Sequence, residues 1–182
     1  MLLLSTGYQV LTFVEVVVPP NVLILDDSSA MVNTLDSILT SHGYHVESCD
    51  DGESCWQRLA GGMSGEIAIP DLLLLDLNVA GLDGLDLLSR IRGEDRLACM
   101  SVIVLTASGD AQTRTDALGA GANDYLAKPI ELSELLDHVG DALARLTAGN
   151  DSPEEADSCD NGSYPQPHRT AYAVSIQDPA FL

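Results

Sequence analysis

The chain has 182 residues, of which 46% are apolar, and this supports one ordinary domain with a hydrophobic core. Acidic residues outnumber basic ones 28 to 8, which leaves a formal charge of −20. Because phosphate contacts need clustered Lys and Arg, this excess argues against binding to nucleic acid or to anionic membranes. The apolar content also excludes a disordered acidic polymer.

The first twenty residues are apolar, but they lack the basic start and the cleavage site of a signal peptide. We interpret residues 1–20 as an N-terminal extension: an extra strand, a partner-binding segment or the product of a start codon assigned too far upstream. The four cysteines are scattered without a CxxC pair, which favours reduced thiols in a cytoplasmic protein with no membrane anchor.

From Asn21 onward, short apolar runs alternate with amphipathic segments, and each run is followed by apolar residues at helical spacing. The predicted strands are residues 22–25, 44–49, 72–75, 102–105 and 124–127. The predicted helices lie around residues 32–42, 52–59, 85–91, 111–119 and 132–146. Strands that alternate with helices indicate an α/β fold with a doubly wound parallel sheet. Because the runs are continuously apolar, helices should cover both faces of that sheet.

Beyond Thr147 the composition changes to acidic residues, prolines and few aliphatic side chains. We predict that residues 148–182 form a disordered acidic tail. This tail is too short for a standard output domain, so the domain before it is expected to act alone.

Polar residues follow the apolar runs at the point where each predicted strand ends. They are Asp26 and Asp27, Asp76, Thr106 and Lys128, which is the only lysine in the chain. Alone, each is readily explained as a helix cap or a solvated charge. Because ligands bind at the carboxyl ends of parallel strands, we expect the five side chains to converge.

Three neighbouring carboxylates require a compensating cation, and Mg²⁺ prefers such oxygen ligands. An aspartate in this position is a potential nucleophile towards phosphorus. Lys128 would balance the phosphoryl charge as a compact cation, and the Thr106 hydroxyl would donate a hydrogen bond.

These residues resemble the receiver domain of two-component response regulators. The resemblance covers residues 21–147 and depends on the five site residues in order, on Gly81-Leu82-Asp83-Gly84, on Thr106-Ala107 and on the segment Gly121 to Pro129. It implies a flavodoxin-like fold whose five strands have the order 2-1-3-4-5. It also implies a cis peptide before Pro129.

The resemblance further implies a role for each residue. Asp76 would be phosphorylated, and Mg²⁺ would be held by Asp26, Asp27, Asp76 and the backbone carbonyl of Asn78. Thr106 and Lys128 would bind the phosphoryl oxygens, and Tyr125 would move inward with Thr106. Asn78 and Ser108 would flank the attacking water and tune dephosphorylation. The family usually has proline where this chain has Ala80, which should loosen the loop and alter the kinetics.

The expected partners are a histidine kinase or histidine phosphotransfer protein and a downstream protein target. The expected output surface comprises the fourth helix, the last strand and the last helix. The protein would be a signalling switch and not an enzyme in the usual sense. Two alternatives remain open here: a degenerate receiver used as a scaffold, and a haloacid-dehalogenase-type phosphatase, which would need an aspartate at Asn78.

Overall fold

The computed structural model describes residues 12–16, 18–79, 83–107, 111–148 and 170–174. The strands are β1 (Thr12–Val16), β2 (Asn21–Leu25), β3 (His45–Cys49), β4 (Leu72–Asp76), β5 (Ser101–Thr106), β6 (Asp124–Ala127) and β7 (Thr170–Val174). The helices are α1 (Ser29–Ser41), α2 (Gly52–Ser64), α3 (Gly84–Arg92), α4 (Ala111–Gly119) and α5 (Leu132–Ala148), with a short 3-10 helix at Asp95–Leu97.

Five strands form one parallel sheet in the order β3-β2-β4-β5-β6. Counted from β2, this is the expected order 2-1-3-4-5, so the predicted fold class is confirmed. The apolar runs of β2, β4 and β5 are buried along their whole lengths, apart from the half-buried first residue of β2.

Alternate residues of these strands feed two separate hydrophobic clusters, one on each face of the sheet. On one face, Leu23, Leu73 and Val102 pack with residues of α2, α3 and α4. On the other face, Ile24 and Leu74 pack with residues of α1 and α5. Full burial of one such leucine contributes about 1.5–3 kcal/mol, which explains why the runs are apolar without interruption.

Side-chain caps fix where the helices begin. Ser28 accepts a hydrogen bond from the Met31 amide at the start of α1, and Asp51 accepts one from the Ser54 amide at the start of α2. Helix α2 ends at Gly65, whose φ of 84° lies in the left-handed region. It has 13 residues and extends five residues beyond the predicted helix.

The terminal segments form a second unit, comprising residues 1–18 and 165–182, apart from the unit of residues 19–164. Within it, β1 pairs antiparallel with β7, from Thr12 opposite Val174 to Val16 opposite Thr170. Strand β7 lies in the segment that we expected to be disordered. Its sequence, TAYAV, contains Thr, Tyr and Val, which favour strands, and β1 supplies the pairing partner.

Two further expectations concern cysteines and membranes. Cys99 is disulfide-bonded, so the expectation of reduced thiols is wrong at this residue, whereas Cys49 and Cys55 are free. The spacing of cysteines in the sequence does not report which of them meet in space. Within the described ranges, every helix is too short or too polar to cross a bilayer.

Candidate functional site

The site lies at the carboxyl edge of the parallel sheet. Asp26 directly follows β2, Asp76 ends β4, Thr106 ends β5 and Lys128 directly follows β6. Because the strands are parallel and β2, β4, β5 and β6 are neighbours, their carboxyl ends meet at one edge. The strand endings that looked separate in the sequence therefore form a single group.

Lys128 bridges two of the aspartates. Its ammonium Nζ lies 2.6 Å from Asp26 Oδ2 and 2.6 Å from Asp76 Oδ2. The Asp26 side chain is fully buried, and the side chains of Asp76 and Lys128 are 8% and 16% exposed. Charge-assisted hydrogen bonds of this length are strong when they are shielded from water. The bridge thus joins residues that are 102 and 52 positions apart in the chain.

The second oxygen of each bridged aspartate accepts a backbone hydrogen bond from the residue two positions later. The amide of Ser28 donates to Asp26 Oδ1, and the amide of Asn78 donates to Asp76 Oδ1, both at 2.8 Å. Each carboxylate is therefore held from both sides, by a backbone amide and by the lysine. This fixes the orientation of both carboxylates before any ligand binds.

Burial and the carboxylates act in opposite directions on the pKa of Lys128. Burial alone would lower it, because a buried ammonium loses hydration. The hydrogen bonds and charges of Asp26 and Asp76 together outweigh that effect and raise the pKa above its ordinary value. Lys128 is therefore positively charged at neutral pH.

Asp27 completes a group of three carboxylates. One carboxylate oxygen from each of Asp26, Asp27 and Asp76 lies within 4.8 Å of the others, and Asp27 is exposed at the mouth of the site. Three negative charges thus face the single ammonium of Lys128. An oxygen-only donor set with surplus negative charge fits a hard divalent cation such as Mg²⁺. The carbonyl of Asn78 would be a further oxygen ligand at this edge.

Thr106 and Tyr125 lie on the neighbouring strands β5 and β6. Thr106 is buried, and its carbonyl accepts a hydrogen bond from the Lys128 amide at 2.8 Å, which links the two strand ends. Tyr125 is half-buried and packs against the hydrophobic cluster that contains α3 and α4 residues. The peptide between Lys128 and Pro129 is cis, as the resemblance implied.

Of the two residues predicted to tune dephosphorylation, the structure describes Asn78 but not Ser108. Asn78 is exposed, with its backbone amide bound to Asp76. Ser108 and Ala80 lie outside the described residues, so their predicted effects on lifetime and loop mobility stay predictions.

Two residues near the site were not predicted to support it. One is Ser28, whose amide orients Asp26 and whose side chain caps α1. The signal for Ser28 was present, since a serine before a helix is a typical N-cap. The other is Gly84, where an added Cβ would lie 2.6 Å from the Cα of Leu77, the residue after Asp76. Gly84 therefore allows α3 to pack directly against the loop that carries Asp76.

Comparison with known proteins identifies the family. The model of the response regulator receiver domain matches residues 22–140. The chain belongs to the response regulator receiver family. Receiver domains are signalling modules of two-component phosphorelay systems, and response regulators interact with histidine kinases.

Two curated relatives and one solved structure illustrate the similarity. The DNA-binding dual master transcriptional regulator RpaA of Synechocystis is 36% identical over 69% of this chain and 50% of its own length. Response regulator MprA of Mycolicibacterium vanbaalenii is 34% identical over 76% of this chain and 56% of its own length. The phosphorylated cyanobacterial phytochrome response regulator RcpA superposes with a TM-score of 0.59 at 26% identity, covering 67% of this chain and 89% of that structure.

The chain spans about half the length of the curated relatives that it matches. RpaA is described as DNA-binding, so membership of the family does not by itself support our expectation that nucleic acid is not a partner. That expectation, the stand-alone action of the receiver and the cytoplasmic location all stay predictions.

Proposed function

We propose that the protein is a phospho-acceptor switch in which Asp76 receives a phosphoryl group from a histidine kinase or a histidine phosphotransfer protein. The observation that carries this proposal is the Lys128 ammonium, 2.6 Å from both Asp26 and Asp76, in a group of three carboxylates. Such a surplus of carboxylates would be costly for a purely structural site, because neighbouring carboxylates repel one another and Asp26 and Asp76 are also desolvated.

Asp76 is the carboxylate that would react, as the resemblance implies. Its Oδ1 is held by the Asn78 amide and its Oδ2 by Lys128, so its orientation is fixed. In the proposed step a carboxylate oxygen of Asp76 attacks phosphorus, the bond between phosphorus and the donor imidazole nitrogen breaks, and its electron pair returns to the imidazole. The product is an acyl phosphate on Asp76.

Asp26, Asp27, Asp76 and the Asn78 carbonyl are the residues that would hold Mg²⁺. When bound, this ion supplies the positive charge that offsets the carboxylates and the incoming phosphoryl oxygens. Asp26 is buried and accepts a hydrogen bond from the Ser28 amide, whereas Asp27 is exposed. The two residues would therefore offer one buried and one exposed carboxylate to the ion.

Lys128 and Thr106 would stabilise the phosphorylated state. Lys128 is able to exchange its hydrogen bond to Asp76 for one to a phosphoryl oxygen, since its ammonium is a compact charge with three donors on a flexible side chain. The Thr106 hydroxyl would donate a hydrogen bond to another phosphoryl oxygen. The Tyr125 side chain would move inward together with Thr106. The altered surface would consist of α4, β6 and α5, and its target would be a downstream protein.

The direct test is incubation with acetyl phosphate and Mg²⁺, followed by intact-mass measurement. We expect a gain of one phosphoryl group in the wild type, and none in Asp76→Asn or in EDTA. Asp95→Asn is the matched control, because Asp95 is an exposed aspartate of the short 3-10 helix and should leave the gain unchanged. A wild type that gains nothing would instead support a degenerate receiver used as a scaffold.

The same preparation tests the other alternative and the lifetime. Asn78 stands where a haloacid-dehalogenase-type phosphatase needs an acidic group, so we expect no hydrolysis of p-nitrophenyl phosphate. Turnover that is lost in Asp76→Asn would overturn this assignment. We also propose that the acyl phosphate hydrolyses within minutes, because the resemblance implies that Asn78 and Ser108 would flank the attacking water. Survival for many hours in Mg²⁺ buffer would contradict that lifetime.

A further inference from the structure

Two thiols meet between β3 and α2, and the proposed phosphoryl transfer uses neither. Cys49 is the last residue of β3 and is half-buried, whereas Cys55 lies in the second turn of α2 and is completely buried. Both are free cysteines within the described part of the chain. Six positions separate them, and the turn that begins α2 lies between them.

The geometry of the strand and the helix brings these thiols together. Residues two apart on a strand share a face, so Glu47 and Cys49 both point towards α2. Residues three apart on a helix also share a face, so Cys55 and Arg58 both point towards β3. Arg58 binds Glu47 through two nitrogens, Nε to Oε2 at 2.6 Å and Nη2 to Oε1 at 2.8 Å.

This two-point ion pair fixes the register of α2 on β3. Arg58 of α2 is held against Glu47 of β3. On the same two faces, Cys55 of α2 is therefore expected to lie opposite Cys49 of β3. Consistent with this, Cys49 packs against the hydrophobic cluster that contains Cys55. The two thiols are also near enough for each to affect the ionisation of the other.

Burial and mutual interaction make the two sulfurs unequal, since Cys49 is half-buried and Cys55 is completely buried. The interaction with Cys55, helped by Ser54 and by the charge of Arg58, lowers the pKa of Cys49 in spite of its burial. The interaction with Cys49, together with deep burial, raises the pKa of Cys55. The more accessible sulfur is therefore the one that ionises more readily.

We propose that Cys49 and Cys55 form a redox-active dithiol that a hydroperoxide oxidises to an intramolecular disulfide. In the first step the Cys49 sulfur attacks one peroxide oxygen and the O–O bond breaks. The other oxygen takes the thiol proton, so that a sulfenic acid forms together with an alcohol, or with water when the oxidant is hydrogen peroxide. In the second step the Cys55 sulfur attacks the Cys49 sulfur, the S–O bond breaks, and the leaving hydroxide takes the Cys55 proton as water. The two thiols lose two electrons, and the peroxide gains them.

The positions of the basic residues make the test direct. Trypsin cleaves after lysine and arginine, and Arg58 is the first such residue of the sequence. It therefore releases residues 1–58 as one peptide, which contains Cys49 and Cys55 and no other cysteine. The full-length protein is treated with hydrogen peroxide, alkylated without reduction and digested. We expect the 1–58 peptide to be lighter by two hydrogens and to carry no alkyl group, and prior reduction should restore two alkylation sites.

Serine variants distinguish the two roles. In Cys55→Ser, Cys49 should still react and gain oxygen, because its resolving partner is absent. In Cys49→Ser, Cys55 should stay a thiol, because it is buried and keeps its proton. In the wild type, a 1–58 peptide that keeps two free thiols, gains oxygen on both sulfurs or is linked to another cysteine peptide would overturn the proposal. These readouts are independent of phosphorylation.

Discussion

Two half-buried cations, Lys128 and Arg92, lie at opposite edges of the same parallel sheet. Lys128, at the carboxyl edge, bonds to the carboxylates of Asp26 and Asp76. Arg92, from the end of α3, bonds at the amino edge to neutral oxygens that lie before or beside the starts of β5 and β6. Both join segments that are distant in sequence, yet the partners they bind differ in charge.

At the amino edge every nitrogen of Arg92 has a matched acceptor. Nε donates to the Gly121 carbonyl at 2.7 Å, Nη1 to the Met100 carbonyl at 3.0 Å and Nη2 to Asn123 Oδ1 at 2.8 Å. Gly121 has φ of 99°, and an added Cβ would lie 2.8 Å from Arg92 Cγ, so both conformation and space require glycine.

The comparison separates a structural cation from a functional one. Arg92 is surrounded by neutral acceptors, and burial lowers its pKa without a compensating anion. Lys128 faces an excess of carboxylates, which leaves negative charge available for a further cation. We infer that the amino edge is saturated and stabilises the fold, whereas the carboxyl edge is poised for ligands.

Lys128→Ala should produce the largest effect, which is on phosphorylation. Removing a positioned charge from a phosphoryl-binding site should lower the initial rate with acetyl phosphate about 100-fold, or about 2.7 kcal/mol. Lys128→Arg should not restore the rate, because a planar guanidinium does not replace a point charge. The check is a time course of intact mass, normalised to folded protein. An unchanged rate in Lys128→Ala would show that the bridge is structural.

Arg92→Met should lower the stability and leave the phosphorylation unchanged. It leaves the Gly121 and Met100 carbonyls without the Arg92 donor, while Asn123 Oδ1 keeps its bond from the Val102 amide. We expect a loss of about 2 kcal/mol in the free energy of unfolding. Urea titration followed by circular dichroism measures this loss, with exposed Arg145→Met of α5 as the matched control. The phosphorylation rate per folded molecule should stay at the wild-type value. A large fall in that rate would contradict the inference that the amino edge stabilises the fold without taking part in phosphorylation.

Mg²⁺ should stabilise the wild type through the carboxyl edge alone. At a free concentration about ten times Kd, binding to the folded state should add about 1.4 kcal/mol. Asp27→Asn should lose most of this gain, because it removes a charged oxygen from the group of three, while Arg92→Met should retain it. Thermal unfolding with Mg²⁺ and with EDTA gives the difference. An equal gain in Asp27→Asn would exclude Asp27 as a ligand.

The Glu47–Arg58 pair provides a reference that belongs to neither edge. The hydrogen bond from Arg58 lowers the pKa of Glu47 from 4.5 to about 2, against the effect of burial. The stabilisation is therefore complete above pH 4.5 and is lost as pH falls towards 2. Because the pair is partly solvated, its contribution should be at most about 1 kcal/mol. Urea titrations between pH 5 and 2 give the free energy of unfolding at each pH. Glu47→Gln should remove the part of the acid-induced loss that comes from this pair. If the free energy of unfolding falls with pH equally in Glu47→Gln and in the wild type, the prediction is contradicted.

The carboxyl edge was predictable from the sequence because its information is local. The continuous apolar runs of β2, β4 and β5 predict buried parallel strands. The polar residue at the end of each run then marks the carboxyl edge of the sheet. Once the order of the strands is known, Asp26, Asp76 and Lys128 must lie close together. The pattern therefore predicted the doubly wound parallel sheet and the convergence of the strand-end residues, whereas the strand order came from the resemblance to the receiver family.

The amino edge and the terminal strands were not predictable in the same way. Arg92 lies 29 positions before Gly121, and no periodicity reports that contact. The pairing of β1 with β7 joins segments more than 150 residues apart, beyond the reach of any local pattern. Likewise, the cysteine positions did not reveal that Cys49 and Cys55 share one interface, since this depends on the register of α2.

The most direct measurement is the position of the phosphoryl group itself. Borohydride reduces an aspartyl phosphate to homoserine, which tandem mass spectrometry locates in the sequence. After treatment with acetyl phosphate and Mg²⁺, the account predicts homoserine at position 76 and at no other acidic residue. Homoserine at Asp26, Asp27 or a surface aspartate, or none at all in protein that has gained phosphate, would contradict it.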